Sequence, residues 1–441
     1  MSVRPALPGG PFLVVGLARS GIAAALLLHA RGERVVGVDA GAPDVTRLRE
    51  AGVEVHLDAP GTDLLDTVAA LVKSPGVPGS APVVATARER GLPVLGEVEL
   101  AWRLLPNDFV AVTGTNGKTT TTELIGHVYR EAGLPVAVAG NVGTPVASLV
   151  GALDAATTVV CESSSYQLED TLAFAPKAAV LLNVTPDHLD RHGTMEAYRA
   201  AKLEAFRRQG PDGVAVAPTA LVGDLPGAAR RVTFGLAAEG ATVALHDDGT
   251  ISWEGEPLIG SHEIGIPGPH NRENAMAAAA VTLALGVDPD AVRAALRSFG
   301  GVAHRLEPVR ERDGVAYVND SKATNVDATL VALRSYPPGS VRLIAGGVTK
   351  GQEFAPLAPL VAERCASVHL IGEGAGEIAR ALEATGVPLH DDGDMEHAIA
   401  AASAVARPGQ TVLLSPACAS FDQYPSFEAR GDHFRRLAQE A

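Results

Sequence analysis

Residues Thr113 to Thr119, reading TGTNGKT, carry the densest chemical signal in this 441-residue chain. The apolar run Phe109 to Val112 predicts a buried strand that feeds a Gly-rich turn, and a helix is expected to open near Lys118. Gly114 and Gly117 would let the backbone curl, so that the amides around Thr115 and Asn116 face an anion while the helix N-terminus adds partial positive charge. Lys118 would reach the outer phosphates of a nucleoside triphosphate, and the hydroxyls of Thr119 and Thr120 follow, Thr119 placed to ligate Mg2+. Val112 stands where the general phosphate-loop pattern has its first Gly, so a tighter loop is expected. The plain alternative is a Gly-rich turn with a chance Lys; the order strand, turn, helix argues against it.

Three further residues have types suited to a metal or phosphoryl site. Glu162 ends the β-prone run of TTVVCE, where phosphate-loop enzymes place a Mg2+-binding acid, although alone it reads as a salt-bridge partner. His188, in NVTPDHLDRHG, follows the apolar stretch Ala178 to Leu182; a solvated loop histidine is the plain reading. As a ligand it would depart from the oxygen preference of Mg2+ and suggests tolerance of Mn2+. Lys202 falls in a helical pattern from Met195 to Arg208, where spacing alone makes it a solvated lysine. Asn141 lies in the second Gly-rich turn, AGNVGTP, where it could hydrogen-bond a substrate. Asn271 and Asn274 open a strong helical pattern from His270, as caps or as readers of a purine.

The elements that must position these groups read as α/β throughout. Residues 12–39 have the shape of a first dinucleotide-fold unit, with Asp39 ending the second strand. Gly16 and Gly21 fit that fingerprint, but Ala18 replaces its middle Gly, which weakens a nicotinamide cofactor and leaves a less closely held nucleotide diphosphate. KSPGVP, Lys73 to Pro78, follows another apolar strand and places Ser74 and Gly76 at a sheet edge; an ordinary turn is the alternative. Helices are expected at 81–90 and 96–105, with a linker at Pro106-Asn107. Residues 231–266 suggest a hairpin-rich edge. Near Gly300 the character changes: a hairpin over 306–318, a loop-to-helix segment NDSKATNVDATLVAL, then alternating strands and helices. Lys350 and Ser420 both fall at strand carboxyl ends there.

Composition narrows the class. Hydrophobic residues make up 46% of the chain and the net charge is -15, so packed cores are expected and a nucleic-acid or anionic-membrane surface is disfavoured. Two or three domains suit this length. Cys161, Cys365 and Cys418 lack metal-ligand spacing and read as reduced, buried thiols. Prolines and glycines near the N-terminus interrupt any signal segment, and no apolar run reaches the ~20 residues of a membrane span, so a cytoplasmic chain without membrane insertion is expected. Only six lysines stand against thirty arginines. Four of those six lie at the candidate sites.

These pieces together resemble the Mur ligases of peptidoglycan synthesis, over essentially the whole length. TGTNGKTT is shared across that superfamily, including folylpolyglutamate synthases; ESSSYQLE (162–169), His304-Arg305, NDSKATN (319–325) and SPACASFDQY (415–424) resemble the D-glutamate-adding branch. The resemblance implies three domains: a Rossmann-like one at 1–106 for a UDP-sugar substrate, a central P-loop ATPase at 107–300 with a parallel sheet and a small β-rich edge, and a Rossmann-like C-terminal one at 301–441 that closes over the amino acid. It implies ATP-dependent addition of D-glutamate to UDP-N-acetylmuramoyl-L-alanine through an acyl phosphate, with two Mg2+ ions, by a monomer. It identifies Lys202 with a lysine carbamylated in the family (N6-carboxylysine), and Lys118, Glu162, His188 and Lys202 as the catalytic and metal set with Thr119. Asn271, Asn274, Arg305 and Asp320 match the adenine and ribose side of ATP. Arg19, Ser20, Asp39, Ser74, Gly76 and Asn141 match the UDP-sugar side. Lys322, Thr324, Lys350, Ser420, Phe421 and Phe427 match the D-glutamate pocket. Rival readings are another Mur ligase or a folylpolyglutamate synthase, a nicotinamide dehydrogenase built on the first unit, and a non-catalytic nucleotide-binding regulatory module. The dehydrogenase leaves the phosphate loop unexplained, and the module predicts nucleotide affinity without substrate-dependent ADP release.

Overall fold

A computed structural model describes residues 4–266, 268–349 and 351–440. Short runs of β-branched and apolar residues form strands buried on both faces, as parallel sheets require. The first sheet has the order β3-β2-β1-β4-β5, built from β1 (Phe12–Val15), β2 (Val35–Val38), β3 (Glu54–His56), β4 (Ala70–Lys73) and β5 (Val94–Gly96). All its pairings are parallel. Strand order reverses between β1 and β4, the position where such sheets open a crevice at their carboxyl ends.

The second sheet comprises β6 (Phe109–Thr113), β7 (Val136–Gly140), β8 (Thr158–Glu162), β9 (Ala178–Leu181), β10 (Val214–Pro218), β11 (Arg230–Leu236), β12 (Val243–Leu245), β13 (Thr250–Trp253) and β14 (Glu256–Gly260), in the order β14-β13-β12-β11-β10-β9-β6-β8-β7. β6 lies between β8 and β9, so the chain leaves it at a switch point. The hairpin-rich edge expected from residue 231 is narrower than the sequence suggested. β11 pairs parallel with β10 and β12, and only β12-β13-β14 form antiparallel hairpins. A core of side chains including Phe109, Trp102, Phe174 and Phe206 lies against this sheet, with Trp102 and Phe109 each edge-on to Phe174.

The chain divides into two compact units, one running through Phe299 and the other beginning at Gly300. The second unit holds the third sheet: β15 (Glu307–Arg312), β16 (Val315–Asn319), β17 (Val341–Gly346), β18 (Cys365–Ile371), β19 (Leu389–Gly393) and β20 (Thr411–Leu414), in the order β15-β16-β20-β17-β18-β19. Only the β15-β16 edge is antiparallel. Three mostly parallel sheets with helical layers make this a three-domain α/β fold. The three cysteines are buried and free. Among the described residues, no helix is long and apolar enough to cross a membrane.

One buried acid makes the stability of the first unit depend on pH. Glu97 begins the helix Glu97–Leu104 and is 1% exposed. Its Oε1 accepts from the Ala147 amide at 2.6 Å, while Oε2 is buried and has no hydrogen-bond partner among the described residues. Burial lifts its pKa from 4.5 to about 7. A raised carboxyl pKa means the folded state holds the proton longer, so the stability present at acid pH is lost as pH rises through about 7. The loss is on the order of 3 kcal/mol at most. Glu97→Gln should therefore melt with a flatter pH dependence than wild type between pH ~4.5 and ~7, where the unfolded chain has lost this proton and the folded chain still holds it. Parallel curves would show that Glu97 is not the group responsible.

Candidate functional site

The phosphate-loop segment occupies the switch point of the second sheet. β6 ends at Thr113 and the helix Lys118–Glu131 follows, so the turn is confined to Gly114–Gly117. Val112 is interior to the strand, paired with Glu162 on β8 and Val180 on β9, which is why the turn starts later than in the general pattern. Gly114 has φ +153° and Gly117 φ +84°. A Cβ at Gly117 would stand 2.2 Å from Asn274 Oδ1, so that asparagine packs directly on the loop.

The loop's internal bonding differs from the expectation that its first amides face an anion. Asn183 Oδ1 accepts from the amides of Thr115 (3.1 Å) and Asn116 (2.9 Å), and Asn183 Nδ2 donates to Asn116 O. Thr115 Oγ1 bonds with Tyr198 Oη at 3.1 Å and accepts from the Thr185 amide. These groups shape the turn from beneath. Asn183 and Tyr198 carried no sequence signal of their own, since neither has a motif spacing to the loop.

Two amines meet on one oxygen. Lys118 Nζ donates to Gly114 O at 3.0 Å and to Thr115 O at 2.7 Å, and Lys202 Nζ donates to the same Gly114 O at 2.7 Å. Lys202 is 1% exposed, with its ammonium 4.3 Å from the Tyr198 ring centroid. The plain reading of Lys202 as a solvated helix lysine is therefore overturned. Burial, then repulsion from Lys118, lowers its pKa to about 7, so a large share of it is a neutral amine near neutrality.

Glu162 ends β8 beside the loop strand and is 3% exposed. Its Oε1 accepts from Asn141 Nδ2 at 3.0 Å, and its backbone oxygen from the Asn141 amide. Asn141 thus orients the carboxylate, whatever it offers a substrate. His188 is exposed, has φ +52°, and precedes the short helix Leu189–His192. Its ring lies 4.9 Å from Tyr166 and 6.2 Å from Tyr198. Thr119, at the helix start, is buried. Thr119, Glu162 and a carboxylated Lys202 would form a hard oxygen donor set of the kind Mg2+ takes, and the buried, largely neutral Lys202 amine suits carbamylation. Thr120 follows on the same helix. Asn271 and Asn274 lie in the helix Pro269–Ala284, whose Gly268 start has no side-chain cap; Asn274 Nδ2 instead donates to Asn271 Oδ1 at 3.2 Å.

At the first sheet's crevice, the turn after β1 packs against the turn after β4. A Cβ on Gly16 would lie 2.5 Å from Val77 Cγ2, and one on Gly21 would collide with Gly16 O at 1.8 Å. Asp39 accepts from the amides of Leu17 (2.6 Å) and Gly41 (2.8 Å), so it shapes the first turn. Arg19 and Ser20 open the helix Arg19–Ala30, Ser74 is buried, and a Cβ on Gly76 would meet nothing within 4 Å.

In the second unit, the carboxyl ends of β16 and β20 gather the remaining candidates. Asp320 accepts from Ser415 Oγ (2.8 Å) and the Leu306 amide (3.1 Å), and burial raises its pKa to about 7. Lys322 and Thr324 follow in the same loop, the Lys322 amide donating to His304 O. The amide of Arg305, next to His304, donates to Val302 O. Ser420 Oγ is buried without a hydrogen-bond partner among the described residues. Phe421 is 67% exposed. Phe427 begins the helix Phe427–Glu440, its ring 6.2 Å from His304. Lys350 lies outside the described residues. Arg430, which carried no motif signal in the sequence, is 1% exposed and donates to Ser321 Oγ, Ser321 O and Cys418 O at 2.9–3.0 Å. It ties the 319–325 loop to the 415–420 segment.

Comparison with known proteins matches this layout. Residues 11–96 match the Mur ligase MurD-like N-terminal domain, 112–282 the Mur ligase middle domain, and 304–418 the Mur ligase glutamate ligase domain. A UDP-N-acetylmuramoylalanine--D-glutamate ligase of Pelotomaculum thermopropionicum is 44% identical, with 96% of each chain covered. One of Frankia casuarinae is 45% identical over 97% of this chain and 93% of its own. Among solved structures, a UDP-N-acetylmuramate-alanine ligase from Thermotoga maritima shares the fold with TM-score 0.57 at 20% identity, covering 98% of this chain and 99% of its own. A MurF ligase from the same organism, solved with ADP, gives 0.54 at 19% identity, covering 99% and 96%. With relatives this similar over nearly its whole length and matched domains from residue 11 to 418, the chain belongs to the Mur ligase family.

Proposed function

We propose that this chain is the ATP-dependent ligase that joins D-glutamate to UDP-N-acetylmuramoyl-L-alanine, releasing ADP and phosphate, in peptidoglycan synthesis. The observation that carries the reading is the meeting of Lys118 and Lys202 on Gly114 O at the mouth of a Gly-rich turn. That arrangement sets one cation, Lys118, beside a buried amine suited to carbamylation where a triphosphate would end. The names of the full-length relatives support the choice of amino acid. Within this reading, residues 1–106 bind the UDP-sugar, 107–300 the ATP, and 301–441 the amino acid.

A carboxylate cannot be attacked productively by an amine at neutral pH, because oxide is too poor a leaving group. The L-alanyl carboxylate oxygen therefore attacks the γ-phosphorus in line, ADP departs, and the acyl phosphate carries a good leaving group. The D-glutamate amine then adds to the acyl carbon, loses a proton, and phosphate leaves as the amide forms. Lys118 stabilises charge on the outer phosphate oxygens, and the helix Lys118–Glu131 adds its N-terminal dipole. Asn183 and Tyr198 keep the turn in shape, and Asn141 aims the Glu162 carboxylate. Thr119, Glu162, His188 and the carboxylated Lys202 would hold Mg2+, two ions in all and with Mn2+ tolerated, which supplies neutralisation of charge developing on the transferred group. Arg305 and Asp320, with Asn271 and Asn274, serve the adenosine. Arg19, Ser20, Asp39, Ser74, Gly76 and Asn141 serve the UDP-sugar. Lys322, Thr324, Lys350, Ser420, Phe421 and Phe427 would form the D-glutamate pocket, and the buried Ser420 hydroxyl, without a hydrogen-bond partner among the described residues, supports that assignment.

A phosphate-release assay with UDP-MurNAc-L-alanine, ATP and a panel of amino acids tests the reading. Release is expected with D-glutamate and not with L-glutamate or meso-diaminopimelate. Turnover with either of the latter in place of D-glutamate would overturn the substrate assignment, and nucleotide binding without any release would favour a regulatory module.

A further inference from the structure

A group of charged side chains unused by the proposed chemistry is packed where the first and second sheets meet. Lys73, the last residue of β4, is fully buried, and its amine donates to Val77 O at 2.7 Å. The same amine lies 3.3 Å from Glu169 Oε1 and 2.7 Å from Asp170 Oδ2, and Arg88 reaches Asp170 Oδ1 at 2.9 Å. Arg191 Nη2 donates to Glu169 Oε1 (2.5 Å), Val77 O (2.9 Å) and Pro75 O (3.3 Å). Its guanidinium also covers the Tyr166 ring at 4.6 Å, and Tyr166 lies against His188.

Burying such charges is costly unless each is paired, and a hydrophobic contact would join two sheets at lower cost. A charged solution is explained if the network fixes a geometry that apolar packing would leave loose. The geometry in question is that of the Ser74–Val77 turn, whose carbonyls at Pro75 and Val77 are both held by cations. Arg191 stands one helical turn beyond His188, so the segment that bears the histidine is fastened to the same turn.

We infer that Arg191, braced by Glu169 and Lys73, is a positioning residue: it holds the 74–77 turn in the shape that accepts the UDP-sugar and links that turn to the segment carrying His188. This rests on the proposed function, because it takes that turn as part of the substrate site. Lys in place of Arg keeps one charge but loses the planar guanidinium that lies over the Tyr166 ring and so couples the turn to His188. Gln in place of Glu169 keeps the shape and removes the charge that orients Arg191.

Arg191→Lys and Glu169→Gln in the full-length chain provide the test, with melting curves to identify a variant that has lost its fold. Calorimetric affinity for UDP-MurNAc-L-alanine, measured without nucleotide or metal, is expected to weaken about tenfold in each, the scale of one charge-assisted hydrogen bond. KM for that substrate should rise in step, while KM for D-glutamate stays near the wild-type value. Unchanged affinity in either folded variant would overturn the inference. So would an equal rise in both KM values, the outcome expected if the network were only structural. Failure of the wild-type chain to ligate D-glutamate would instead sink the proposed function and is read in the same assay.

Discussion

Lys202→Ala is expected to lose ligation by about a thousandfold or more, on the scale of removing a group that stabilises transition-state charge, and to recover part of it when formate or acetate is added. The reason lies in where the amine sits. It is buried, bonded to Gly114 O and faced by the Tyr198 ring, and its pKa of about 7 leaves much of it neutral. A neutral amine attacks the carbon of CO2, forms an N–C bond and releases a proton, leaving an anionic carbamate where an ammonium stood. Truncation to Ala leaves a cavity beside the loop that a short carboxylate can enter. Lys202→Met should be equally inactive but resistant to rescue, because its side chain fills that space. Wild-type activity should also fall in CO2-depleted buffer and return with bicarbonate. Full activity of Lys202→Ala without added carboxylate would show that the carbamate is not needed.

Lys118→Ala is expected to lower phosphate release by about a thousandfold or more, since it removes a cation from the transferring group. Its melting temperature should change little, because the amine's bonds to Gly114 O and Thr115 O stay within its own loop, and such local contacts contribute on the order of 1 kcal/mol each. Loss of activity with retained fold separates a catalytic lysine from a structural one. Substantial residual turnover would remove the loop from the mechanism. Lys202→Ala and Lys118→Ala touch the same oxygen, so their effects should not add; a double variant close to the worse single one is the expected result.

The phosphate loop was legible in the sequence because everything that makes it is contiguous. An apolar strand, glycines at the two positive-φ positions and a helix start lie within a dozen residues, and steric rules act at that range. Glu162 was legible for a similar reason, as the acid closing a β-prone run that had to be a buried strand. The alternating apolar runs likewise announced α/β architecture, although they could not say that β11 would join its neighbours in parallel.

Tertiary structure alone decided what those local pieces face. Lys202 looked like any helix lysine until packing brought it to Gly114, 88 residues away. Asn183 clamps amides 67 and 68 residues distant, Lys73 meets Glu169 across 96 positions, and Arg430 holds Ser321 across 109. Resemblance to a family assigned Lys202 a role, but residue spacing could not, because spacing constrains partners only within a helix turn or a strand pair. Across a sheet's width, partners are chosen by which polar groups burial would otherwise leave unsatisfied. The sequence by itself thus determined that a Gly-rich strand-to-helix turn of the phosphate-loop kind exists and where it begins; the fold determined that two amines converge on it and that a buried charge network fastens the 74–77 turn to the segment bearing His188.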